Sequence, residues 1–406
     1  MMIQLAWRNL WRRPVRTALS LSSMALASAL LVFMLSFQLG VYDTMKVNTL
    51  KLFDGFAQIQ PSGYADDPDI RKTISSPIAL ADQAMSLPGV NAASPRVSSY
   101  VILANGDLGY GAAIVGVDPD HEQKVSTIAA TVRTGRYLQT RDTDAIVMGA
   151  ALARDLKLAL GDRVTLLGSA LDGTVAAGNL KLVGIFQTGI ADLDRQLAEI
   201  PLNRFQESFA MPGLANVIVL AGQNLSSVDD ALPKLAELTR AKGLVVKDWG
   251  ALQPAMKQAI HLDFSTSMLW YASLVIVVVF IVLNTLLMSV LERTREFGML
   301  VAIGMRSGLV ARMLWLELFF LALLGNILGL LVGGGLSLWL GQRGIAISAM
   351  EGLLAQWGLP DKLFPTFSLT SALVGPAVLL LSVALGGLFP MARIERLKPV
   401  SAMRGP

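Results

Sequence analysis

Four long apolar stretches dominate the pattern of hydrophobic and polar positions along the chain. Residues 17–39, 264–291, 318–342 and 363–392 contain no Asp, Glu, Lys or Arg. A helix needs about 20 consecutive apolar residues to cross the hydrocarbon core of a bilayer. The pattern therefore predicts four transmembrane helices, with the 221 residues 43–263 between the first and the second.

Between the first two apolar stretches the pattern changes to short β-like runs and short amphipathic helices. Runs bounded by Gly, Asp and Pro turns predict strands, and a period near 3.6 residues predicts helices. The predicted strands are 56–59, 97–103, 112–117, 145–148, 164–167, 180–186, 217–220 and 244–247. The predicted helices are 78–87, 150–158, 202–209 and 228–240. We therefore predict a membrane protein with four transmembrane α-helices and a large α+β domain between the first two.

The second apolar stretch is longer than a membrane crossing requires. Its 28 charge-free residues, 264–291, would extend about 42 Å as an α-helix, whereas the hydrocarbon core is about 30 Å thick. Helix-compatible residues also precede it, over 252–263. We predict a helical stalk that continues beyond the membrane; a tilted helix is the alternative.

The segment ahead of the first span has two different faces. Ile3, Trp7, Leu10 and Trp11 fall on one helical face, and polar and basic residues fall on the other. This distribution is typical of an interfacial amphipathic helix, which we predict for residues 1–16. A basic anchor without a defined helical geometry is the alternative.

Basic residues are concentrated on one side of the predicted membrane. Four precede the first span, four lie between the second and third, and four follow the fourth: Arg8, Arg12, Arg13, Arg16, Arg293, Arg295, Arg306, Arg312, Arg393, Arg396, Lys398 and Arg404. The short loop between the third and fourth spans offers only Arg343 and Lys362. Because short loops rich in Lys and Arg stay in the cytoplasm, we predict both termini inside and the large domain outside, as an extracytoplasmic domain.

Composition and motifs exclude several kinds of chemistry. The chain is 53% hydrophobic and 16% charged, whereas soluble domains are about 25% charged, and its basic excess suits anionic lipid headgroups rather than nucleic acid. It has no Cys, and His121 and His261 stand apart from any ligand-like cluster. There is no G-x-S-x-G, no H-E-x-x-H and no Gly-Lys dipeptide, which a Walker A phosphate loop requires. We therefore predict no catalytic, cofactor-binding or metal site on this chain.

A stripe of small residues runs along the third span. Gly325, Gly329 and Gly333 recur every four residues, which places them on one helical face where another helix can approach closely. We predict helix packing there, either within one chain or between two copies. Ordinary enrichment of glycine in membrane helices is the alternative.

Three polar side chains fall inside the predicted spans. Glu317 lies at the cytoplasmic end of the third span, where an ionisable residue indicates a functional site. Pairing with Arg312, or snorkelling to the interface, is the alternative for this carboxylate. Asn284 and Asn326 are expected to form hydrogen bonds between helices.

The loop between the second and third spans carries a recognisable motif. Residues 292–304 read Glu-Arg-Thr-Arg-Glu-Phe-Gly-Met-Leu-Val-Ala-Ile-Gly. This resembles the signature loop of the permease superfamily that includes MacB, FtsX and the lipoprotein-releasing LolC and LolE, with Phe297 in place of the usual Ile and Val301 in place of the usual basic residue. The resemblance implies a short coupling helix that docks on an ATPase through Glu292, Arg293, Arg295, Glu296, Phe297, Gly298, Ile303 and Gly304.

Other stretches resemble the same superfamily in the same order along the chain. Residues 7–17 match its amino-terminal motif, and 390–404 match its carboxy-terminal motif. Within the large domain, 87–90, 115–118 and 149–161 resemble the MacB-type periplasmic core domain, whereas 53–68 and 184–194 are closer to LolC and LolE.

The resemblance implies a transport subunit that is not itself an enzyme. Since the chain lacks a Walker A loop, ATP and magnesium would bind a separate cytoplasmic ABC ATPase dimer. The implied partners are that ATPase, a second permease copy in a homo- or heterodimer, membrane lipid, and a periplasmic acceptor or adaptor protein, with no nucleic acid. The implied location is the bacterial inner membrane.

The function implied is mechanotransmission, in which ATP hydrolysis drives periplasmic motion that extracts or releases lipoprotein or another lipid-like cargo. The alternatives are an FtsX-like regulator of a cell-wall hydrolase, MacB-like efflux of peptides or small molecules, and a membrane-anchored receptor or enzyme without an ATPase. The expected segments are 1–16, 17–42, 43–263, 264–291, 292–312, 313–342, 343–366, 367–392 and 393–406.

Overall fold

The structure is a computed structural model of the 406-residue chain. It describes residues 2–12, 14–292, 305–346 and 362–389, together with 299, 303 and 391. The described residues form two units. The first, here called the membrane unit, draws on Met1–Asp43, Ile260–Ile347 and Lys362–Pro406, and the second, the external domain, draws on Thr44–Ala259.

Helices and strands are numbered in chain order over the described residues. The helices are α1 (Met2–Leu10), α2 (Pro14–Thr49), α3 (Pro77–Met85), α4 (Pro119–Val125), α5 (Ala150–Asp155), α6 (Ala191–Gln196), α7 (Leu202–Ser208), α8 (Leu225–Arg240), α9 (Trp249–Leu252), α10 (Pro254–Glu292), α11 (Ser307–Arg343) and α12 (Leu369–Gly386). The strands are β1 (Ala57–Pro61), β2 (Ile74–Ser75), β3 (Ala92–Asn105), β4 (Leu108–Val117), β5 (Val132–Gly135), β6 (Ala145–Gly149), β7 (Arg163–Ser169), β8 (Val175–Phe186), β9 (Leu197–Pro201), β10 (Leu214–Ala215), β11 (Val217–Ala221), β12 (Leu244–Asp248), β13 (Ile345–Ala346) and β14 (Lys362–Leu363).

Among the residues that the structure describes, four helices, α2, α10, α11 and α12, are long and apolar enough to cross a membrane. They confirm the four spans predicted from the sequence. Proline opens α2 and α10, where its missing N–H costs nothing because the first turn of a helix has no acceptor for it. A capping box between Ser368 and Ser371 opens α12 and satisfies two backbone donors of that first turn.

The helix boundaries do not coincide with those of the predicted segments. The amino-terminal helix ends at Leu10, and Pro14 already belongs to α2, so two helices share the predicted segment 1–16. Helix α11 begins at Ser307, within the predicted loop 292–312. Helix α10 is continuous over 39 residues from Pro254, about 58 Å, so helix does precede the apolar stretch as predicted.

The external domain is built on one ten-stranded sheet with the order β12-β1-β11-β3-β4-β9-β6-β8-β5. Strand β7 pairs with both β3 and β8, so β3, β4, β9, β6, β8 and β7 close a ring. The β4–β9 and β6–β8 pairs are parallel. All six strands of the ring contribute alternate residues to one apolar cluster, which includes Val97, Ile114, Met148, Leu166, Leu182 and Ile200.

A second apolar cluster lies beside the ring. Helices α3 and α8 pack on β1 and β11 through Ile59, Leu80, Ile218 and Val228, all almost fully buried. The remaining face of β1, β11, β3, β4 and β9 is therefore the one that carries the polar residues described below. Every strand and helix predicted for this domain overlaps an element of the same type, which confirms the α+β fold.

Candidate functional site

The predicted coupling segment falls almost entirely outside the described residues. Six of its expected contact residues lie there: Arg293, Arg295, Glu296, Phe297, Gly298 and Gly304. Helix α10 ends at Glu292. Ile303 is described and is 85% exposed, so an apolar side chain of this segment is available for contact with a partner.

The glycine stripe of α11 lies against α2. A Cβ atom built on Gly325, Gly329 or Gly333 would overlap atoms of α2 within residues 24–29. The Ser28 hydroxyl donates to the Asn326 carbonyl of α11 at 3.4 Å. Because only glycine permits this approach of the two backbones, the stripe sets the distance between the first and third spans within a single chain.

The three polar side chains predicted inside the spans have different surroundings. The Asn326 side chain donates to the Pro376 carbonyl of α12 at 3.1 Å and so joins the third and fourth spans. Asn284 is exposed, and no hydrogen bond joins it to another helix among the described residues, so its interhelical bond stays a prediction. Glu317 is half-buried in α11.

A polar cluster joins α2 and α10. The Gln38 side chain donates to the Ser267 hydroxyl at 2.7 Å and accepts from the Tyr271 hydroxyl at 2.6 Å. The Tyr42 hydroxyl donates to the Asp263 carboxylate. Gln38 and Tyr42 are each 9% exposed. In an apolar setting such a network specifies how the two helices pair, because each buried polar group needs its partner.

A buried ionic network lies on the polar face of the external sheet. Arg96 of β3 donates from Nε and Nη2 to the Glu122 carboxylate of α4, at 3.0 and 2.5 Å. Ser94 donates to the same carboxylate at 3.0 Å. Glu199 of β9, fully buried, accepts from the Tyr137 hydroxyl at 2.6 Å. Such a network costs desolvation and persists only when its members bond one another.

Burial sets the charge state of this network. The pKa of Glu199 is raised to about 8, chiefly by burial and also by the nearby Glu122 charge, against the opposing effects of Tyr137 and Arg96. Burial also raises the pKa of the Tyr137 hydroxyl well above its usual value. Although burial alone would lower the pKa of Arg96, Glu122 keeps it above its usual value. At neutral pH Arg96 is therefore charged, while Glu199 is mostly protonated.

Sequence reasoning missed both polar groups. Gln38 stands inside the first apolar stretch, and Glu199 interrupts the apolar run 197–201. The sequence signal for each group was one polar side chain within an otherwise apolar run. It did not say which partners, more than 60 residues away along the chain, would satisfy these groups.

Two family models match the chain in succession. One is described as the MacB-like periplasmic core domain and matches residues 17–235. The other is described as the FtsX-like permease C-terminal and matches residues 268–399.

Curated relatives include both lipoprotein-release and export proteins. The lipoprotein-releasing system transmembrane protein LolC of Neisseria meningitidis serogroup B is 23% identical, covering 96% of this chain and 94% of the relative. The pyoverdine export ATP-binding/permease protein PvdT of Pseudomonas aeruginosa is 26% identical, covering 85% and 53%. The macrolide export ATP-binding/permease protein MacB of Photorhabdus laumondii is 24% identical, covering 98% and 60%. Among solved structures, the periplasmic region of MacB from Actinobacillus actinomycetemcomitans is 13% identical with a TM-score of 0.36, covering 50% of this chain and 94% of that one.

Proposed function

The chain belongs to the MacB/FtsX/LolC family of ABC-transporter permeases, and from this membership we propose that it couples ATP hydrolysis on a separate ATPase to the release of lipoprotein from the membrane. The MacB-like model alone matches residues 17–235, more than half of the chain. Motion of the external domain, rather than chemistry on this chain, would perform the work. The working unit would pair this chain with a second permease copy and place both termini in the cytoplasm.

The whole-length similarity to LolC carries the choice of cargo. The chain covers 94% of the LolC relative, whereas it covers only 53% and 60% of the two exporters, whose names combine ATP-binding and permease parts. This match over nearly the whole length of LolC favours lipoprotein as the proposed cargo. Efflux of a peptide or small molecule is the second candidate, favoured by the 26% identity to PvdT, against 23% to LolC.

The long helices support the transmission mechanism. Helix α10 continues for ten residues on the amino-terminal side of the apolar stretch that begins at Phe264. A helix is stiff along its axis because every internal turn is hydrogen-bonded. We propose that this part of α10 is the stalk through which movement passes, and that residues 292–304 form the contact with the ATPase.

The test is ATP-driven release in a reconstituted system. The full-length protein, with the ATPase that co-purifies with it, is placed in proteoliposomes that hold a fluorescent lipoprotein, and release to a soluble acceptor is followed. Wild type should release cargo only with ATP. The Glu296→Arg variant should insert normally but lose ATPase stimulation and release, because the charge that faces the ATPase is reversed. Glu237→Arg, an exposed carboxylate on α8, is the matched control and should behave as wild type.

Two outcomes would contradict the proposal. Wild-type protein that stimulates the ATPase but releases no lipoprotein would move the assignment to efflux or to hydrolase regulation. Full stimulation by the Glu296→Arg variant would remove the coupling role from residues 292–304.

A further inference from the structure

One face of the external sheet carries buried polar side chains among its apolar ones. Side chains alternate between the two faces of a strand, and the residues opposite the apolar clusters on β1, β3 and β9 include Gln58, Ser94, Arg96, Ser98 and Glu199, nearly all of them buried. A sheet face that packs only on protein is normally apolar. Gln58, Arg96 and Ser98 line a cavity on this face.

A cavity of about 710 Å³ opens on this face, entirely within the external domain. This volume lies in the range of roughly 300–1,000 Å³ that is typical of ligand pockets. Val115, Leu197 and Val219 line its apolar part, and the rings of Tyr64 and Tyr100 line its sides. Tyr100 is 74% exposed, so an aromatic surface leads from solvent into the cavity.

The cavity has one buried cation and an acidic lining. Four carboxylates line the cavity, those of Asp54, Asp67, Asp69 and Asp192. Arg96 is the basic residue among the lining residues. The Asp67 side chain is 80% exposed and pairs with Lys72 at 3.1 Å. Asp192 is exposed at the start of α6. These exposed carboxylates would attract a cationic group to the rim.

The buried guanidinium of Arg96 does not use all of its nitrogen atoms in hydrogen bonds to Glu122. Arg96 is 4% exposed, and its Nε and Nη2 both bond to Glu122. Its Nη1 has no hydrogen-bond partner among the residues that the structure describes. A guanidinium N–H can only donate a hydrogen bond. The Nη1 of Arg96 can therefore bind an acceptor oxygen such as a peptide carbonyl.

We propose that this cavity binds a short extended segment of the transported polypeptide, one that carries a Lys or Arg side chain beside an apolar or aromatic one. The carboxylates of the rim contact the Lys or Arg side chain of the segment, and Arg96 donates to one of its backbone carbonyls. The tyrosines and the aliphatic residues of the cavity pack on its apolar side chain. A polypeptide offers all three chemistries at once, which neither a simple anion nor a hydrocarbon chain does. The inference rests on the proposed function for the source of the segment, since a transport subunit meets its cargo.

Binding is tested on the full-length protein in nanodiscs of phosphatidylcholine, whose zwitterionic headgroups avoid attracting a cationic probe. The probe is the capped hexapeptide Gly-Phe-Lys-Leu-Lys-Gly with a neutral fluorophore, compared with the same peptide carrying Glu in place of both Lys. Fluorescence anisotropy should show saturable binding of the Lys peptide and at least tenfold weaker binding of the Glu peptide. Empty nanodiscs give the baseline.

Three exposed or partly exposed positions report on the site without disturbing the core. Asp69→Asn and Asp192→Asn should each weaken binding of the Lys peptide about twofold to fivefold at low salt, the range that exposed ion pairs give, and added salt should reduce the difference. Tyr100→Ala should weaken binding of both peptides. Asp107→Asn, an exposed carboxylate in the β3–β4 turn outside the cavity, is the matched control and should bind as wild type.

The source of the segment is tested by competition. Excess Lys peptide should slow lipoprotein release in the reconstituted system while ATP hydrolysis continues, and the Glu peptide should not. Equal binding of the two peptides, or wild-type binding by the double Asp69→Asn, Asp192→Asn variant, would overturn the cavity assignment. Lipoprotein release that is unaffected by excess Lys peptide would overturn the assignment of the segment to the cargo. Because ATPase stimulation is measured in the same preparation, a failure of the proposed permease function shows separately.

Discussion

At the scale of single residues, the α2–α11 contact depends on glycine, whose lack of a side chain lets the two helices approach closely. Gly329 faces the Ser28 side chain and the Ala25 carbonyl of α2, and an added Cβ would overlap both. Gly335, on the same helix, has no atom within 4 Å of its Cβ position among the described residues. The sequence predicted a packing stripe from the spacing of the glycines, but the partner helix followed only from the structure.

These two glycines provide a matched pair of variants. Both Gly→Ala changes gain about 1 kcal/mol of helix propensity, but only Gly329→Ala adds a methyl group to a closed interface, which costs about 1–3 kcal/mol. We expect Gly329→Ala to lower the unfolding midpoint of the purified protein in a detergent titration, and Gly335→Ala to leave it unchanged or raise it. Equal effects of the two changes would contradict the close α2–α11 contact.

Glu199 gives the external domain a dependence on pH. Its folded pKa is raised to about 8 from an ordinary value of 4.5, so between these two pH values the folded state holds a proton that the unfolded state has lost. The contribution of this group to stability is complete below about pH 4.5 and is lost as pH rises through 8. Arg96 and Tyr137, which face Glu199, both have pKa values raised above their usual range and do not titrate in this window.

The Glu199→Gln variant removes this titration while keeping the shape of the side chain. Relative to wild type, it should gain stability steadily between pH 5 and pH 9, by a few kcal/mol at most, because glutamine never acquires the buried charge. Melting temperatures of the full-length protein across this range measure the difference. Glu237→Gln, at an exposed site, should show no such trend, and a constant offset for Glu199→Gln would reject the raised pKa.

At the scale of elements, periodicity and turn residues located the regular strands and helices but missed the short ones. Strand β9 was missed because Glu199 breaks the apolar run and Pro201 ends it. It is nevertheless a central strand, since all five of its residues are buried and it pairs with both β4 and β6. Helix α4 was missed because its seven residues are mostly polar, and it is held by the Arg96–Glu122 pair. Local pattern cannot show that a charged residue will be buried by a distant partner, since tertiary contacts decide it.

Helix α10 is the element on which the transmission mechanism depends. Inserting Gly-Ser-Gly-Ser after Gln258 interrupts the helix with a segment that behaves as flexible coil and transmits little directed force. ATP hydrolysis by the partner should persist, while lipoprotein release should fail. The same insertion after Gly106, in the tight β3–β4 turn, is the control and should preserve release.

Assembly must be equal in the two insertion variants, as judged by co-purification with the ATPase. If release survives the α10 insertion in an assembled complex, the stalk does not carry the movement. The contact between α2 and the glycine stripe of α11 would then be the better route.

At the scale of the whole molecule, charge sets orientation and hydrophobicity sets the number of crossings. The four apolar helices are fixed by composition and are present in the structure. The basic residues that flank them predict the orientation, with both termini inside. The two family models together account for 17–235 and 268–399, so sequence motifs identified the family, whereas the buried networks and the cavity needed the folded chain.

Orientation can be tested directly because the chain contains no cysteine. Any labelling of a single-cysteine variant therefore comes from the introduced thiol. Asp107→Cys lies in an exposed turn of the external domain, and Ile303→Cys lies in the loop between the second and third spans, where the side chain is 85% exposed. In intact spheroplasts, a membrane-impermeant maleimide should label position 107 and leave 303 unlabelled. Permeabilisation should make both positions react, which controls for thiol accessibility. Labelling of 303 and protection of 107 in intact cells would invert the orientation, and the basic loops would then face outward against the positive-inside rule.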